Sequence, residues 1–220
     1  MTDVVLVHGA WHGAWCWDGV VAALERDGIS AVAVDLPLAG LDDDVAAARR
    51  AIEAAGEGVV VVGHSYGGEV ITRAAAGMPV KRLVFLAAFM LDNDDDQGAV
   101  MSDYGSTLPS ALQFSEISLT VDPERVHDLF YGDSDAATSA ALAEKLRPMP
   151  LVGFSPPTAE PAWKSVPSTY VVCTNDGALP PEAQRWMAER AEAVVEWPTD
   201  HSPFVTRPDA VAELVASYVR

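Results

Sequence analysis

The chain has 220 residues, half of them hydrophobic, which is typical of one globular domain with its own core and excludes a disordered chain. Its formal net charge of -18 disfavours binding to nucleic acid or to a membrane surface, because no cluster of lysine and arginine offsets the repulsion. The two cysteines, Cys16 and Cys173, are too few for a disulfide framework, so we expect a reducing compartment.

Strand and helix patterns alternate through the first 87 residues. Short apolar runs predict strands at 4–7, 30–34, 59–62 and 82–87, and helical spacing predicts helices at 15–26, 45–54 and 69–76. No basic segment precedes the first strand and no apolar stretch is long enough to span a membrane, which favours a cytoplasmic location. The acidic runs at 42–44 and 92–96 are interpreted as solvated loops, since neither has the spacing of a calcium loop.

The alternation stops after Ala88 and resumes about seventy residues later. The intervening sequence contains an Asp-rich loop, two predicted short helices beginning near Asp122 and Asp135, and a proline-rich return. We interpret residues 90–161 as a lid inserted into a single domain that spans 1–220. Strands at 169–174 and 193–197 and helices at 181–192 and 208–218 complete the pattern. Six apolar strands alternating with helices predict an α/β fold, with a mostly parallel sheet covered on both faces.

The third predicted strand leads directly into Gly63-His64-Ser65-Tyr66-Gly67-Gly68. This G-x-S-x-G pattern, between a buried strand and a helix, is typical of a nucleophile elbow, a strained turn that exposes a serine hydroxyl. Side chains at positions 63 and 67 would collide in such a turn, and glycine removes them. The backbone N–H of Tyr66 is then expected to donate to an oxyanion on the attacked carbon.

A serine hydroxyl needs a base, which is usually a histidine oriented by a carboxylate. Of the five histidines, His201 follows the last strand, at the sheet edge where Ser65 is expected. His64 would point away from its neighbour Ser65, and His127 is expected on the lid surface. His8 and His12 follow the first strand, where their spacing makes a metal site improbable. We therefore predict that His201 is the base.

The acid is expected between Ser65 and His201, on another loop at the carboxyl ends of the strands. Asp176 lies two residues beyond the strand that ends at Thr174, within a good turn sequence, and is the preferred candidate. Asp92 is the rival, after the fourth strand. Asp200 is too close to His201 in sequence to reach across its ring.

The loop after the first strand is expected to supply the second oxyanion donor, the N–H of Ala10, by analogy with that loop's usual role. The tryptophans nearby line the crevice or pack in the core, and the sequence leaves both readings open: Trp11, Trp15 and Trp17.

Four segments together resemble the methylesterase and hydroxynitrile lyase group of the α/β-hydrolase superfamily, and the resemblance weakens through the lid. They are 8–17, 63–68, 173–176 and 200–201. The lyases of that group carry a threonine at the position of Gly9 and a lysine at that of Ser202, so the resemblance implies ester hydrolysis here.

The resemblance implies a cofactor-free carboxylesterase that acts on a small, mostly apolar ester, as a monomer or homodimer. The residues expected to contact substrate are Gly9, Trp11, Phe89, Phe154 and Trp163. A lyase or thioesterase on the same residues, or a protein that binds a small ligand without turnover, remains an alternative.

Overall fold

In the computed structural model of the chain, residues 2–151 and 160–220 are described. Their strands, in chain order, are β1 (Val4–Val7), β2 (Ala31–Val34), β3 (Val60–His64), β4 (Arg82–Leu86), β5 (Leu112–Phe114), β6 (Ser118–Val121), β7 (Met149–Pro150), β8 (Ser168–Cys173) and β9 (Ala193–Trp197). Six of these form a sheet in the order β2-β1-β3-β4-β8-β9, and every neighbouring pair is parallel. The other three form a small antiparallel sheet.

The α-helices of the described residues are α1 (Asp18–Arg26), α2 (Leu41–Ala55), α3 (Tyr66–Ala74), α4 (Gln97–Asp103), α5 (Val126–Phe130), α6 (Ala136–Ala143), α7 (Pro181–Ala188), α8 (Pro203–Thr206) and α9 (Pro208–Val219). Short 3-10 turns occur at Ala14–Trp17, Leu108–Ala111, Pro123–Arg125 and Ala162–Lys164. None of the helices in this part of the chain is both long and apolar enough to cross a bilayer.

Both faces of the large sheet are covered, which explains the unbroken valine runs. Along β1, Val5 and Val7 pack in a core with α2, α3 and α7, whereas Val4 and Leu6 pack in a second core with α1 and α9. Alternate residues of a strand point to opposite faces, so a strand covered on both sides is apolar throughout. The predicted α/β architecture with a six-stranded sheet is confirmed.

The acidic run 42–44, which the sequence pattern predicts to be a solvated loop, is helical, so that prediction is wrong. Helix α2 begins at Leu41, so the three aspartates form its first turn, where carboxylates are favoured by the helix dipole. Asp44 is fully buried and accepts hydrogen bonds from the Leu38 N–H and the Tyr66 hydroxyl, both at 2.8 Å. An acidic residue that sequence reasoning assigned to solvent therefore supports the residue after Ser65.

The small sheet was not predicted, and it lies in the insert, which we define as residues 87–167 between β4 and β8. Strands β5, β6 and β7 have only two to four residues each, and Phe114 on β5 is 68% exposed. Such short, partly exposed strands leave little periodicity to detect. The sequence pattern predicts the second lid helix from about Asp135 to Leu146, whereas α6 ends at Ala143. Helix α4 was not predicted.

Candidate active site

Ser65 lies between β3 and α3 in a strained backbone conformation, with φ 52° and ψ −122°. The two flanking glycines are required by space. A Cβ at Gly63 would lie 2.6 Å from the Gly67 carbonyl oxygen, and one at Gly67 would lie 2.6 Å from the Val7 carbonyl oxygen. The collision predicted for the turn is thus present, and it involves the end of β1 as well as the turn itself.

The described residues with positive φ other than glycine are Trp11, Leu38, Ser65 and Ala87. They follow β1, β2, β3 and β4 respectively, so all four lie at the carboxyl edge of the sheet. Each such conformation costs of order 1–3 kcal/mol and persists only where its surroundings hold it. Backbone strain is therefore concentrated at the edge where the candidate site residues meet.

Asp176 and His201 lie in direct contact. Nδ1 of His201 is 2.7 Å from Oδ2 of Asp176, and both side chains are buried. Because a carboxylate only accepts, Nδ1 carries the proton, which leaves Nε2 of a neutral ring with a free lone pair. The His201 ring lies 4.6 Å, centroid to centroid, from the ring of His64, the residue before Ser65. This tautomer is the one a general base requires.

The Asp176 carboxylate accepts four hydrogen bonds. Oδ1 accepts from the N–H groups of Ala178 and Leu179, and Oδ2 accepts from His201 and from Nε2 of Gln184, the backbone and amide bonds each at 2.8 Å. Gln184 is fully buried on α7 and was not identified from the sequence. Its amide also accepts from the Cys173 N–H at 2.8 Å. Gln184 therefore fixes the side of the carboxylate that faces His201.

For the ester hydrolysis expected from the sequence, replacing Gln184 with methionine, which has a similar length but no donor, is expected to lower kcat by about tenfold with a smaller change in KM. The loss also leaves buried partners unsatisfied, at about 1–3 kcal/mol of unfolding free energy. Ester turnover and urea unfolding measure the two effects. An unchanged kcat at the temperature where the variant is fully folded would contradict the assignment to Gln184.

The other candidate acids are engaged elsewhere. Asp92 pairs with Lys164 at 2.8 Å, a hydrogen bond that holds the pKa of its carboxyl below the usual range. The Asp200 carboxylate accepts from the N–H groups of Asp133 and Ser202, both at 2.9 Å. Of the three carboxylates considered, Asp176 is the one that contacts the His201 ring.

A cavity of about 440 Å³ opens beside the elbow, and its wall includes Ser65, Ala10 and Tyr66. The residues expected to supply the nucleophile and both oxyanion donors thus share one cavity. The remaining described wall residues are mostly apolar: Trp11, Phe89, Gln97, Met101, Leu108, Leu119, Met149, Pro150 and Leu151.

The predicted substrate contacts have four different outcomes. Trp11 and Phe89 line the cavity. Gly9 is not among the described wall residues, but a Cβ there would come within 2.9 Å of the Ser65 Cβ. Trp163 is not on the cavity wall; its Nε1 donates to the Leu91 carbonyl at 3.2 Å, and its partly buried ring packs against the core. Phe154 lies outside the described residues.

Three further histidines, His8, His12 and His64, are buried and stay neutral. Burial lowers the pKa of His8 to about 4 and of His12 to about 3, and holds the pKa of His64 well below its usual range. Nδ1 of His12 donates to the Ala10 carbonyl, and its Nε2 accepts from the Tyr131 hydroxyl. Within the described residues, no group of three or more His, Cys, Asp or Glu side chains is arranged to hold a metal ion.

These depressed pKa values predict acid sensitivity. His8, His12 and His64 remain neutral in the folded chain but take up protons in the unfolded chain below about pH 6.5. The three histidines therefore stabilise the folded chain fully above that pH. As the pH falls below it, the free energy of unfolding decreases by about 1 kcal/mol per histidine per pH unit. The raised pKa values of Asp44 and Asp200, caused by burial, oppose part of this loss because their folded carboxyls bind protons first.

Urea unfolding at about pH 7 and pH 5.5 measures the net effect. We expect the free energy of unfolding to fall clearly from pH 7 to pH 5.5. In a His12→Gln variant this fall is expected to be smaller, by the amount that one histidine contributes. Equal stability at the two pH values would show that the buried histidines do not control acid sensitivity.

Comparisons with known proteins identify the family and the fold. A model described as the alpha/beta hydrolase family matches residues 4–214. Methylesterase 1 of Arabidopsis thaliana is 29% identical over 253 residues, covering 95% of this chain and 92% of that protein. Salicylic acid-binding protein 2 of Nicotiana tabacum is 30% identical over 238 residues, covering 93% and 92%. The crystal structure of polyneuridine aldehyde esterase, at 23% identity, matches the fold over 100% of both chains with a TM-score of 0.86.

Proposed function

The chain belongs to the alpha/beta hydrolase family, and on that premise we propose that it is a serine carboxylesterase that forms an acyl-enzyme on Ser65. Its relatives include methylesterases, which confirms the resemblance drawn from the sequence and supports an esterase activity. The observation that carries the proposal is the 2.7 Å contact between His201 Nδ1 and Asp176 Oδ2. The His201 ring lies 4.6 Å from the ring of His64, the residue before Ser65, and Ser65 is held at φ 52° on the wall of an apolar cavity.

In the proposed mechanism, Nε2 of His201 removes the hydroxyl proton as Ser65 Oγ attacks the ester carbonyl carbon. The N–H groups of Ala10 and Tyr66 donate to the oxyanion that forms, and each such donor is worth roughly 3–4 kcal/mol in the transition state. The protonated His201 then gives its proton to the leaving alkoxide. Water attacks the acyl-enzyme by the reverse of these steps and releases the acid.

The proposed substrate is a small, mostly apolar ester. A cavity of about 440 Å³ accepts a small molecule, and its described wall carries no charged side chain. Gln97 and Ser65 are the hydrogen-bonding side chains of that wall besides Tyr66 and Trp11, whose polar atoms are turned to Asp44 and the Leu119 carbonyl. We propose that residues 90–161 act as the lid that shapes this cavity, and that the ester is recognised mainly by shape.

Hydrolysis is favoured over cyanohydrin cleavage by the space around Gly9. A side chain there would begin 2.9 Å from both the Ser65 Cβ and the His64 Nδ1, so a threonine would crowd the nucleophile. Glycine leaves that space to an ester carbonyl. Ser202 follows His201, and no cation is supplied there for a cyanide leaving group. Mandelonitrile, which the lyase alternative predicts to be cleaved, is expected to remain intact.

A fluorophosphonate probe and p-nitrophenyl acetate test the proposal together. We expect one probe per chain, located by mass spectrometry on the peptide that contains Ser65, and many turnovers of the ester per active site. Labelling without turnover would favour a protein that binds a small ligand, and labelling at another serine would contradict the elbow assignment.

A further inference from the structure

We propose that Arg147, in the insert, is a positioning residue for the oxyanion donor at Ala10. This inference rests on the proposed function. Arg147 lies between α6 and β7, and it reaches the loop after β1 that carries residues 8–13. We call that loop the oxyanion loop.

Arg147 binds two successive carbonyls of the oxyanion loop. Its backbone N–H donates to the Trp11 carbonyl at 2.7 Å, and its guanidinium donates to the His12 carbonyl through Nη2 at 2.8 Å and Nε at 3.1 Å. The same Nη2 donates to the Leu36 carbonyl at 3.1 Å, on the loop after β2. One side chain thus joins two loops at the carboxyl edge of the sheet.

The carbonyls of the two preceding residues, Gly9 and Ala10, also accept hydrogen bonds from side chains. Nδ1 of His8 is 2.8 Å from the Gly9 carbonyl oxygen, and Nδ1 of His12 is 2.8 Å from the Ala10 carbonyl oxygen. Because the Gly9–Ala10 peptide is trans, its N–H points opposite to the Gly9 carbonyl. The bond to His8 fixes the direction of the Gly9 carbonyl, so the Ala10 N–H points away from His8. Ala10 lies on the cavity wall.

The tautomer of His8 depends on what surrounds its other nitrogen. Nε2 accepts from the Leu36 N–H at 3.0 Å and lies 3.4 Å from Nη2 of Arg147. Both neighbours are donors, so the ring proton must sit on Nδ1, which is the nitrogen that binds the Gly9 carbonyl. Arg147 thereby reinforces the tautomer that orients the Ala10 amide, besides holding the next part of the loop directly.

The loop needs this support because Trp11 has φ 62°, a conformation that costs of order 1–3 kcal/mol for a residue other than glycine. Three contacts, all from the insert, hold Trp11 there. They are the Arg147 N–H on its carbonyl, the Leu119 carbonyl on its Nε1 at 3.1 Å, and the Phe130 ring stacked at 5.9 Å. By contrast, the ion pair of Arg147 with Asp35 involves a carboxylate that is 64% exposed, and such pairs contribute little.

Arg147→Met removes the guanidinium donors and keeps the backbone N–H. We expect kcat for p-nitrophenyl acetate to fall roughly 10- to 100-fold with KM changed by less than about threefold, as for a misplaced oxyanion donor. A trifluoromethyl ketone, which forms a hemiketal with the serine, is expected to lose affinity in proportion to kcat, whereas the matching methyl ketone is not. Millimolar guanidinium is expected to restore part of the rate, because the side chain is 35% exposed.

Arg82→Met is the matched control. Arg82 is also partly buried and donates to the Ser168 carbonyl, but it lies at the amino end of β4, opposite the site. It is expected to change stability and leave the affinity for the trifluoromethyl ketone unaltered.

If the wild-type protein turns over the ester and Arg147→Met has an unchanged kcat and ketone affinity, the role of Arg147 is overturned while the proposed function stands. A wild-type protein without turnover or hemiketal would instead overturn the proposed function. If Arg147→Met does not fold, Arg147→Lys decides the question. It keeps the charge and one donor group, and is expected to lose kcat and trifluoromethyl ketone affinity together by a smaller factor. No loss in Arg147→Lys would count against the inference.

Discussion

Ser65→Ala is expected to lower kcat by roughly 10⁵- to 10⁶-fold while leaving the fold intact. Removal of the nucleophile of a serine hydrolase leaves only the residual catalysis of the oxyanion donors and of binding. The hydroxyl is not needed for the turn itself, since the Ser65 backbone carries its bonds: its N–H donates to the Leu86 carbonyl at 3.3 Å, and its carbonyl accepts from the Phe89 N–H at 3.1 Å. Steady-state turnover and fluorophosphonate labelling measure the loss, and labelling is expected to vanish.

Ser168→Ala provides the control for this result. Ser168 is 2% exposed but begins β8, at the sheet edge opposite Ser65. The control is expected to keep wild-type turnover and full labelling. More than about one-hundredth of wild-type activity in Ser65→Ala, in a preparation free of wild-type protein, would mean that another nucleophile carries the reaction.

Asp176→Asn is expected to lower kcat by roughly 10⁴-fold, the loss typical of a triad acid converted to its amide. All four partners of the Asp176 carboxylate are donors, as shown by the Ala178, Leu179, Gln184 and His201 contacts. An asparagine NH₂ must therefore face a donor in either orientation. With NH₂ toward His201, the ring proton moves from Nδ1 to Nε2, and the lone pair that would accept the Ser65 proton is lost.

The amide also leaves a buried donor without an acceptor, which is expected to lower the unfolding free energy by about 1–3 kcal/mol. Asp135→Asn is the matched control. Asp135 is an exposed N-cap of α6, where asparagine caps equally well. Activity and stability are expected to remain at wild-type levels in the control. A kcat for Asp176→Asn within tenfold of wild type would remove Asp176 from the proposed triad.

The sheet and the elbow could be predicted because their signals are local in sequence. Valine runs identify strands covered on both faces, and the glycines at 63 and 67 are demanded by contacts within one turn and the adjacent strand. The choice of His201 and Asp176 used one further rule, that loops at the carboxyl ends of parallel strands converge. The loops that follow β8 and β9 do converge, since Asp176 and His201 are in contact.

The supporting residues could not be predicted because their roles depend on contacts with other elements of the fold, which no local pattern reveals. Asp44 binds Tyr66 across 22 residues, Gln184 binds Asp176 across the turn into α7, and Arg147 binds His12 across 135 residues. Nothing in the local pattern around Asp44 or Arg147 distinguishes them from surface charges. Trp163 shows the opposite difference between sequence and structure. Its aromatic character suggested a substrate contact, whereas its ring packs against the core and is not on the described cavity wall.

The composition of the cavity wall also has a consequence for how a product would leave. Ester hydrolysis turns a neutral substrate into a carboxylate anion. The described part of the wall offers that anion no lysine or arginine, and the chain as a whole carries a formal net charge of -18. An apolar surface in an acidic protein disfavours a newly formed negative charge. For the proposed ester substrate, we therefore expect the acid to be a poorer ligand than the ester, so that accumulating product competes weakly with fresh substrate for the cavity.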